Sequence, residues 1–233
     1  MNERLQTAYA GQAGSGSLVE RRNSVLRNTY WLLALSLVPT VLGAWIGVRT
    51  GLMANLGMGV STIVFLVGAF GLMFAIEKFK NSSTGVVLLL GFTFFMGLML
   101  SRMLAAVLGF SNGSNLIMLA FGGTAAVFVG MASLASVIKR DLSNMGKFLF
   151  VGAILLLVTG LINIFLVQSS ALMITMAVIA IGLFSAFMLY DIKRVIDGGE
   201  TNYISATLAI YLDVYNVFQS LLALLGIFGG ERD

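Results

Sequence analysis

The chain has 233 residues, of which 58% are hydrophobic and only 10% are charged, and its net charge is +4. A soluble domain carries roughly 25% charged residues, so this chain has too few charges to cover a globular surface. It contains no cysteine and no histidine, which excludes disulfides, thiol chemistry, imidazole metal ligands and a Ser-His pair. The basic residues are dispersed between apolar stretches, so we expect the lipid bilayer, and no nucleic acid, as the partner.

Residues 1–27 form a polar segment that is rich in glycine and serine between Gly11 and Ser17. No apolar segment opens the chain and no small-residue cleavage site follows, so we expect a short flexible cytoplasmic tail and not a signal peptide. The remainder, residues 28–230, is expected to form one transmembrane domain.

Seven apolar stretches follow the tail, each near the ~20 residues with which a helix crosses a bilayer. The strands of a membrane barrel would be about half as long, so the sequence predicts an all-α membrane protein built as a seven-helix bundle. The short linkers make consecutive helices antiparallel. The predicted spans are 29–49, 55–77, 84–109, 115–138, 147–167, 171–192 and 203–228.

Lysine and arginine residues are concentrated on one side of the predicted spans. Only Arg49 and Arg232 lie on the other side, and Arg102 falls within the third span. The positive-inside rule therefore predicts a cytoplasmic amino terminus and, after seven crossings, a carboxyl terminus outside. In the first span, Gly43 and Gly47 have the GxxxG spacing, which we interpret as a device for internal helix packing.

Two aspartates lie in the last two spans, Asp191 near the inner end of span six and Asp213 within span seven. Even mild insertion scales put a charge at membrane depth at about 2.5 to 3.5 kcal/mol. Between the spans, Gly198-Gly199 is a helix terminator, and Thr201 or Asn202 can cap the next helix. At 1.5 Å per residue the two aspartates lie roughly 10 and 16 Å above this turn, so a modest tilt brings them to one level.

Two carboxyl groups at close range tend to share a proton, because both cannot ionise cheaply. Asp191 and Asp213 are therefore the predicted pH-sensing element, and loss of the proton would loosen the inner ends of their helices. The same oxygens attract a hard cation such as Ca²⁺, but they are too few for a closed cage of six to eight ligands. We expect weak, transient metal binding along an ion pathway and no resident cofactor. The alternative is an aspartate that only holds neighbouring helices together.

The surroundings of Asp213 are polar for a membrane helix. Asn216 lies on the same small and polar stripe of span seven as the aspartate. Tyr211 and Tyr215 flank the aspartate, and they either donate hydrogen bonds to it or serve packing alone.

Charged residues elsewhere in the spans receive simpler interpretations. We expect the side chain of Arg102 to extend to the headgroups; the alternatives are a cationic gate residue or a partner of a helix carboxyl end. Glu77 is expected to form a solvated cluster with Lys78 and Lys80 at the membrane interface.

The last hairpin resembles the signature of the transmembrane Bax-inhibitor-motif (Bax inhibitor-1) family, in Tyr190-Asp191 and in Leu208-Ala-Ile-Tyr-Leu-Asp213-Val-Tyr-Asn216-Val-Phe-Gln-Ser-Leu-Leu222. Two further segments, Gly198-Gly-Glu-Thr-Asn-Tyr203 and Arg27-Asn-Thr-Tyr30, resemble its bacterial YccA-type branch. The resemblance extends from about residue 27 to residue 226.

The resemblance implies a bundle whose last helix is central and a pH-sensitive calcium leak that uses Asp191 and Asp213. The YccA-type branch further implies residence in the bacterial inner membrane and modulation of the membrane protease FtsH. Calcium-leak relatives latch an aspartate with an arginine at the end of span two, where only Lys78 or Lys80 is available here. The YccA-type members lack the paired acids, so the site resembles the leak proteins while the flanks resemble the YccA-type proteins.

Three functions are therefore considered. The first is a cation leak gated by the aspartate pair, and the second is an FtsH modulator that uses residues 1–27 as a handle. The third is an intramembrane aspartyl protease, whose dyad activates water. Because Ile210-Tyr-Leu-Asp213 lacks the GxGD pattern of those enzymes, we expect no enzyme, and we expect a monomer.

Overall fold

The computed structural model describes the backbone of residues 3–231 and the side chains from Glu20 onward, with the exception of Arg21. Within that range the chain is helical apart from its turns, and no strand occurs among the described residues. The predicted all-α class is confirmed. The helices are α1 (Glu3–Thr50), α2 (Leu52–Asn55), α3 (Met58–Phe79), α4 (Ser83–Leu108), α5 (Gly113–Val137), α6 (Met145–Ile162, continued by a π-helical turn, Asn163–Val167), α7 (Ser170–Ile196) and α8 (Tyr203–Gly229).

Seven of these helices are long and apolar enough to cross a membrane, which confirms the seven predicted spans. The first span is the Arg22–Thr50 part of α1. Since α1 begins at Glu3, the helical backbone has no break at residue 27, and the flexibility of residues 1–27 stays a prediction. The side chains of Arg4 and Arg21, and all of Arg232, lie outside the described part of the chain.

The last helix, α8, is the centre of the bundle. It packs against α7, α5 and α1 and also contacts α4 and α3. Ala206, Thr207 and Leu208 are consecutive and all buried, so burial extends around the helix, whereas a helix at the lipid surface buries a single stripe. The central position that the resemblance implies is confirmed.

The GxxxG spacing of α1 lies in its contact with α4. A Cβ atom on Gly43 would meet the carbonyl oxygen of Phe94, and a Cβ atom on Gly47 would meet the side chain of Ser101. Small residues permit such close approach of two membrane helices. The prediction that these glycines serve internal packing is confirmed.

The two ends of the bundle differ in charge. The end that we call the basic end carries Lys80, Lys139 and Lys193, and the opposite end carries the carboxyl termini of α1, α4 and α8. The side of the membrane that each end faces stays a prediction.

The turn at the basic end between α7 and α8 has the glycine terminator and the helix cap that the sequence predicts. Gly198 adopts a left-handed conformation with φ of 79° just after α7 ends, a conformation that favours glycine. Of the two candidate caps, the structure uses Asn202, whose Oδ1 atom accepts hydrogen bonds from the backbone N–H groups of Ile204 (2.9 Å) and Ser205 (3.2 Å). The sequence therefore encodes this turn locally.

Candidate functional site

The two aspartates of the last hairpin lie side by side. Asp213 is buried inside α8, with 4% of its surface exposed, and Asp191 is partly exposed near the end of α7. Their carboxyl groups are within hydrogen-bonding reach of each other. Among the described residues no donor reaches Asp213 Oδ2. The structure thus brings together the two residues that the sequence predicts as a pair.

This arrangement can hold one proton. Two carboxyl groups in such proximity form a hydrogen bond only if one of them carries the proton, and without it the two charges repel. The pair alone cannot hold a resident Ca²⁺ ion, because two carboxylates are too few for a closed Ca²⁺ cage. In the described part of the chain, no group of three or more acidic or other metal-ligating side chains can hold an ion. Transient Ca²⁺ binding at Asp191 and Asp213 stays a prediction.

Asp191 lies on the wall of a cavity of about 790 Å³. Helices α3, α7 and α8 form its walls, and Asp213 is not among the residues that line it. One member of the pair is therefore reached from the cavity, and the other lies behind it. The polar residues that line the cavity are Glu77, Lys80, Asp191, Arg194, Glu200 and Ser205.

Two ion pairs lie at the mouth of this cavity. Lys80 Nζ is 2.9 Å from Glu77 Oε2, and Arg194 Nη2 is 3.4 Å from Glu200 Oε2. The hydrogen bond that Lys80 donates to Glu77 raises the pKa of the Lys80 ammonium group, because the carboxylate stabilises the protonated form. The solvated cluster predicted around Glu77 is confirmed for Lys80.

The latch that the resemblance implies is not formed. Lys80, at the carboxyl end of α3, is paired with Glu77 three residues earlier, and Lys78 Nζ lies 5.7 Å from the centre of the Phe79 ring. Among the described residues, neither lysine forms an ion pair with an aspartate of the buried pair. The physical reason is proximity, since a partner one turn away requires no movement of a second helix.

Of the two alternatives for the tyrosines next to Asp213, the hydrogen bond to the aspartate is not formed. Tyr211 Oη lies 2.9 Å from Thr40 Oγ1, and Tyr215 Oη donates to the carbonyl oxygen of Met96 at 3.3 Å. Residues two positions apart lie on different faces of a helix, so both tyrosines point away from the aspartate. They connect α8 to α1 and α4.

The side chain of Asn216 forms its hydrogen bond within its own helix, α8. Its Nδ2 atom donates to the carbonyl oxygen of Leu212 at 2.8 Å. Asn216 itself is partly buried. The role of Asn216 as a support for Asp213 stays a prediction.

Arg102 combines a buried guanidinium nitrogen with partial exposure of the residue. Its Nη1 atom is buried and has no hydrogen-bond partner among the described residues. Arg102 as a whole is nevertheless partly exposed, so the extension of its side chain to the headgroups stays a prediction. The helix that carries Arg102, α4, packs against α1 and α3.

Sequence reasoning missed Arg194 and Glu200 as neighbours of the aspartate pair. Both lie near enough to Asp191 to act on its carboxyl group electrostatically. The signal for Arg194 was present, because it follows Asp191 by three residues and therefore lies on the same helix face. Thr40 gave no such signal, since its partner Tyr211 is 171 residues away in the sequence.

Comparison with known proteins gives a consistent assignment. A sequence model described as "Inhibitor of apoptosis-promoting Bax1" matches residues 22–230. An "uncharacterized membrane protein" of Vibrio cholerae is 42% identical over 213 residues, which cover 90% of this chain and 92% of the relative. The Escherichia coli K12 protein named "Modulator of FtsH protease YccA" is 38% identical over 204 residues, which cover 88% of this chain and 90% of the relative. The protein named "Inner membrane protein YccA", from Escherichia coli O6:H1, has the same identity and coverage.

Proposed function

The chain belongs to the Bax inhibitor family, as a YccA-type member, and on this premise we propose that it modulates an FtsH-type protease in the bacterial inner membrane. The observation that carries the proposal is the 38% identity to the relative named as a modulator of FtsH protease, over 88% of this chain. The family match covers all seven spans. The basic end then faces the cytoplasm, in agreement with the positive-inside rule.

Reconstitution tests this proposal. The full chain is added in increasing amounts to liposomes that contain FtsH, and the degradation rate of a fluorescent membrane substrate is measured. We expect degradation to slow as the chain is added. A rate that is unchanged at every ratio of chain to protease contradicts the proposal.

Two variants then test residues 1–27 as the handle. The first deletes residues 2–21, which precede the first span, and the second replaces them with a Gly-Ser segment of equal length. If the amino-acid sequence of the handle matters, both variants lose the effect on degradation. If only its length matters, the Gly-Ser variant retains the effect.

A second function is favoured by the geometry of the aspartate pair, and we propose that Asp191 and Asp213 gate a cation leak. The supporting observation is that the two carboxyl groups lie together and that only Asp191 lines the cavity. With one shared proton, the pair links α7 to α8 near the basic end. After loss of the proton, two negative charges repel each other and loosen this contact. Calcium is the cation that we expect.

The sign of the pH dependence follows from this mechanism. The closed state keeps the proton, so flux rises with increasing pH as the proton is lost. Asp213→Asn keeps a polar group of similar shape but does not titrate, so flux becomes low and independent of pH. Calcium efflux from liposomes measures this, with the exposed loop residue Asp141 as the control in Asp141→Asn. The leak proposal fails if Asp213→Asn leaves both the flux and its pH dependence unchanged.

A further inference from the structure

The cavity beside Asp191 combines an apolar wall with a charged mouth. We propose that it binds one zwitterionic phospholipid, a phosphatidylethanolamine, from the membrane leaflet at the basic end. This inference is independent of protease modulation and of the cation leak, because it concerns only what occupies the cavity.

The cavity extends over the depth of one leaflet. Its wall runs from Lys80, which directly follows the last residue of α3 at the basic end, to Phe70 within α3, ten residues that rise by about 15 Å. Half of a hydrocarbon core ~30 Å thick is a similar distance. The volume of about 790 Å³ lies within the ~300–1,000 Å³ that is typical of ligand pockets. A headgroup at Lys80 therefore leaves room for part of an acyl chain along Phe70.

The cavity lies between helices that do not close on each other. Helix α3 packs mainly against α4 and touches α8, whereas α7 packs against α8, α5 and α6. On the α3 side, the lining residues Phe70 and Phe74 are 55% and 74% exposed, and in a membrane this exposed surface faces lipid. A lipid molecule can therefore enter from the side, without leaving the bilayer.

The charges at the mouth favour a zwitterion over an anion. Lys80 and Arg194 are each already paired with a carboxylate, and Asp191 adds a third acidic group to the lining. An anionic headgroup would add negative charge to this excess of acids. A phosphoethanolamine group instead brings a phosphate for Arg194 and Lys80 and an ammonium group for the carboxylates.

The ammonium group also distinguishes between zwitterions. Ethanolamine carries N–H donors that carboxylates accept, whereas the quaternary ammonium group of choline carries none. Ser205 adds a hydroxyl group to the same wall. Its Oγ atom is buried and has no hydrogen-bond partner of good geometry among the described residues, although the Glu77 carboxylate lies nearby. The site therefore offers several acceptors to one donor-rich cation.

Native mass spectrometry of the purified full chain in detergent tests the proposal. Palmitoyl-oleoyl phosphatidylethanolamine, phosphatidylglycerol and phosphatidylcholine are added one at a time, so that only the headgroup varies. We expect one phosphatidylethanolamine per chain, bound roughly tenfold more tightly than either of the others, as the loss of one charge-assisted hydrogen bond implies.

Matched variants locate the site. Arg194→Gln removes the phosphate partner and is expected to weaken phosphatidylethanolamine binding by roughly tenfold. The control, Arg140→Gln, changes an exposed residue at the same end that does not line the cavity, and binding is expected to be unchanged. Met73→Trp fills the cavity and leaves its charges intact, so it is expected to weaken the binding of phosphatidylethanolamine as well.

Three outcomes of these measurements bear on the proposal. Equal binding of the three headgroups, or tighter binding of phosphatidylglycerol, overturns the proposal. So does unchanged phosphatidylethanolamine binding in both Arg194→Gln and Met73→Trp. If Arg194→Gln does not fold, as thermal unfolding would show, Met73→Trp alone decides. The assay contains neither protease nor an ion gradient, so its result is separate from those of the degradation and flux experiments.

Discussion

The hydroxyl group of Tyr211 lies 2.9 Å from that of Thr40, and this contact connects the central helix to the first span. The same Tyr211 hydroxyl is 3.5 Å from the carbonyl oxygen of Thr93 on α4. One side chain therefore joins α8 to both α1 and α4, on the face of α8 that turns away from the aspartate pair.

Replacement of Tyr211 by phenylalanine tests the strength of this connection. Hydrogen bonds between membrane helices contribute about 0.6 kcal/mol on average and up to about 1.7 kcal/mol, so we expect Tyr211→Phe to lower the free energy of unfolding by about 1 kcal/mol. Tyr215→Phe, which loses a single 3.3 Å bond, is expected to lower it less. Equilibrium unfolding in mixed detergent and dodecyl sulfate measures both. Equal stability of wild type and Tyr211→Phe would refute the assignment.

The contact between α1 and α4 predicts opposite effects for two glycines of one helix. A Cβ atom on Gly97 would meet the backbone of Thr40 and Ala44, whereas one on Gly91 meets nothing within 4 Å. We expect Gly97→Ala to destabilise the protein by about 1–3 kcal/mol through overpacking. Gly91→Ala removes only the poor helix propensity of glycine, so it is expected to be neutral or to stabilise by up to about 1 kcal/mol. The same unfolding assay distinguishes the two, and similar effects of both would contradict the close approach.

Asn202 both caps α8 and bridges to the loop between α3 and α4. Its Oδ1 atom accepts the cap hydrogen bonds, and its Nδ2 atom donates to the carbonyl oxygen of Lys80 (3.0 Å) and to Asn81 Oδ1 (2.9 Å). Asn202→Ala removes both functions and is expected to cost about 1–3 kcal/mol. Asn202→Asp keeps the acceptor at the helix amino terminus and loses only the bridge, so a smaller loss is expected.

Amide hydrogen exchange separates the two roles of Asn202. The Ser205 amide is expected to lose protection in Asn202→Ala and to keep it in Asn202→Asp. If Asn202→Asp is as harmful as Asn202→Ala by both measurements, the cap contributes nothing and the bridge alone holds the start of α8.

Arg102 is expected to lower the stability of the bundle. Its Nη1 atom is buried with no partner among the described residues, and an unsatisfied buried donor costs about 1–3 kcal/mol. Arg102→Met keeps most of the side-chain volume and removes the donor, so we expect the free energy of unfolding to rise by about 1 kcal/mol or more. Arg49→Met is the control, because the Arg49 guanidinium lies exposed over the ring of Trp45 at 5.8 Å and little change is expected. A clear loss of stability in Arg102→Met would show that the guanidinium group has a partner.

The spans, the turn after α7 and the candidate aspartate pair are encoded by local signals in the sequence. The seven spans follow from runs of apolar residues, because the need to satisfy the backbone in lipid makes each run of about 20 residues a helix. The turn after α7 follows from Gly198 and Asn202, which act on the residues next to them. The candidate pair of Asp191 and Asp213 follows from the expense of a carboxylate at membrane depth.

The central position of α8 is predicted from the family resemblance and not from local signals. The central position of α8 does not follow from hydropathy, because α8 is no more apolar than its neighbours. The motif around Asp213 carried that information, and the burial around α8 confirms it.

The choice of partners was decided by the tertiary structure alone. Tyr211 could donate to Asp213 or serve packing alone, and Lys80 could pair with Glu77 or with an aspartate. Each choice depends on the rotation and tilt of whole helices, which are set by packing between segments far apart in the sequence. Composition and spacing therefore determine that this chain crosses the membrane seven times with two acids in its last hairpin. Which side chains meet, and the cavity that they leave beside Asp191, arise only when the seven helices pack together.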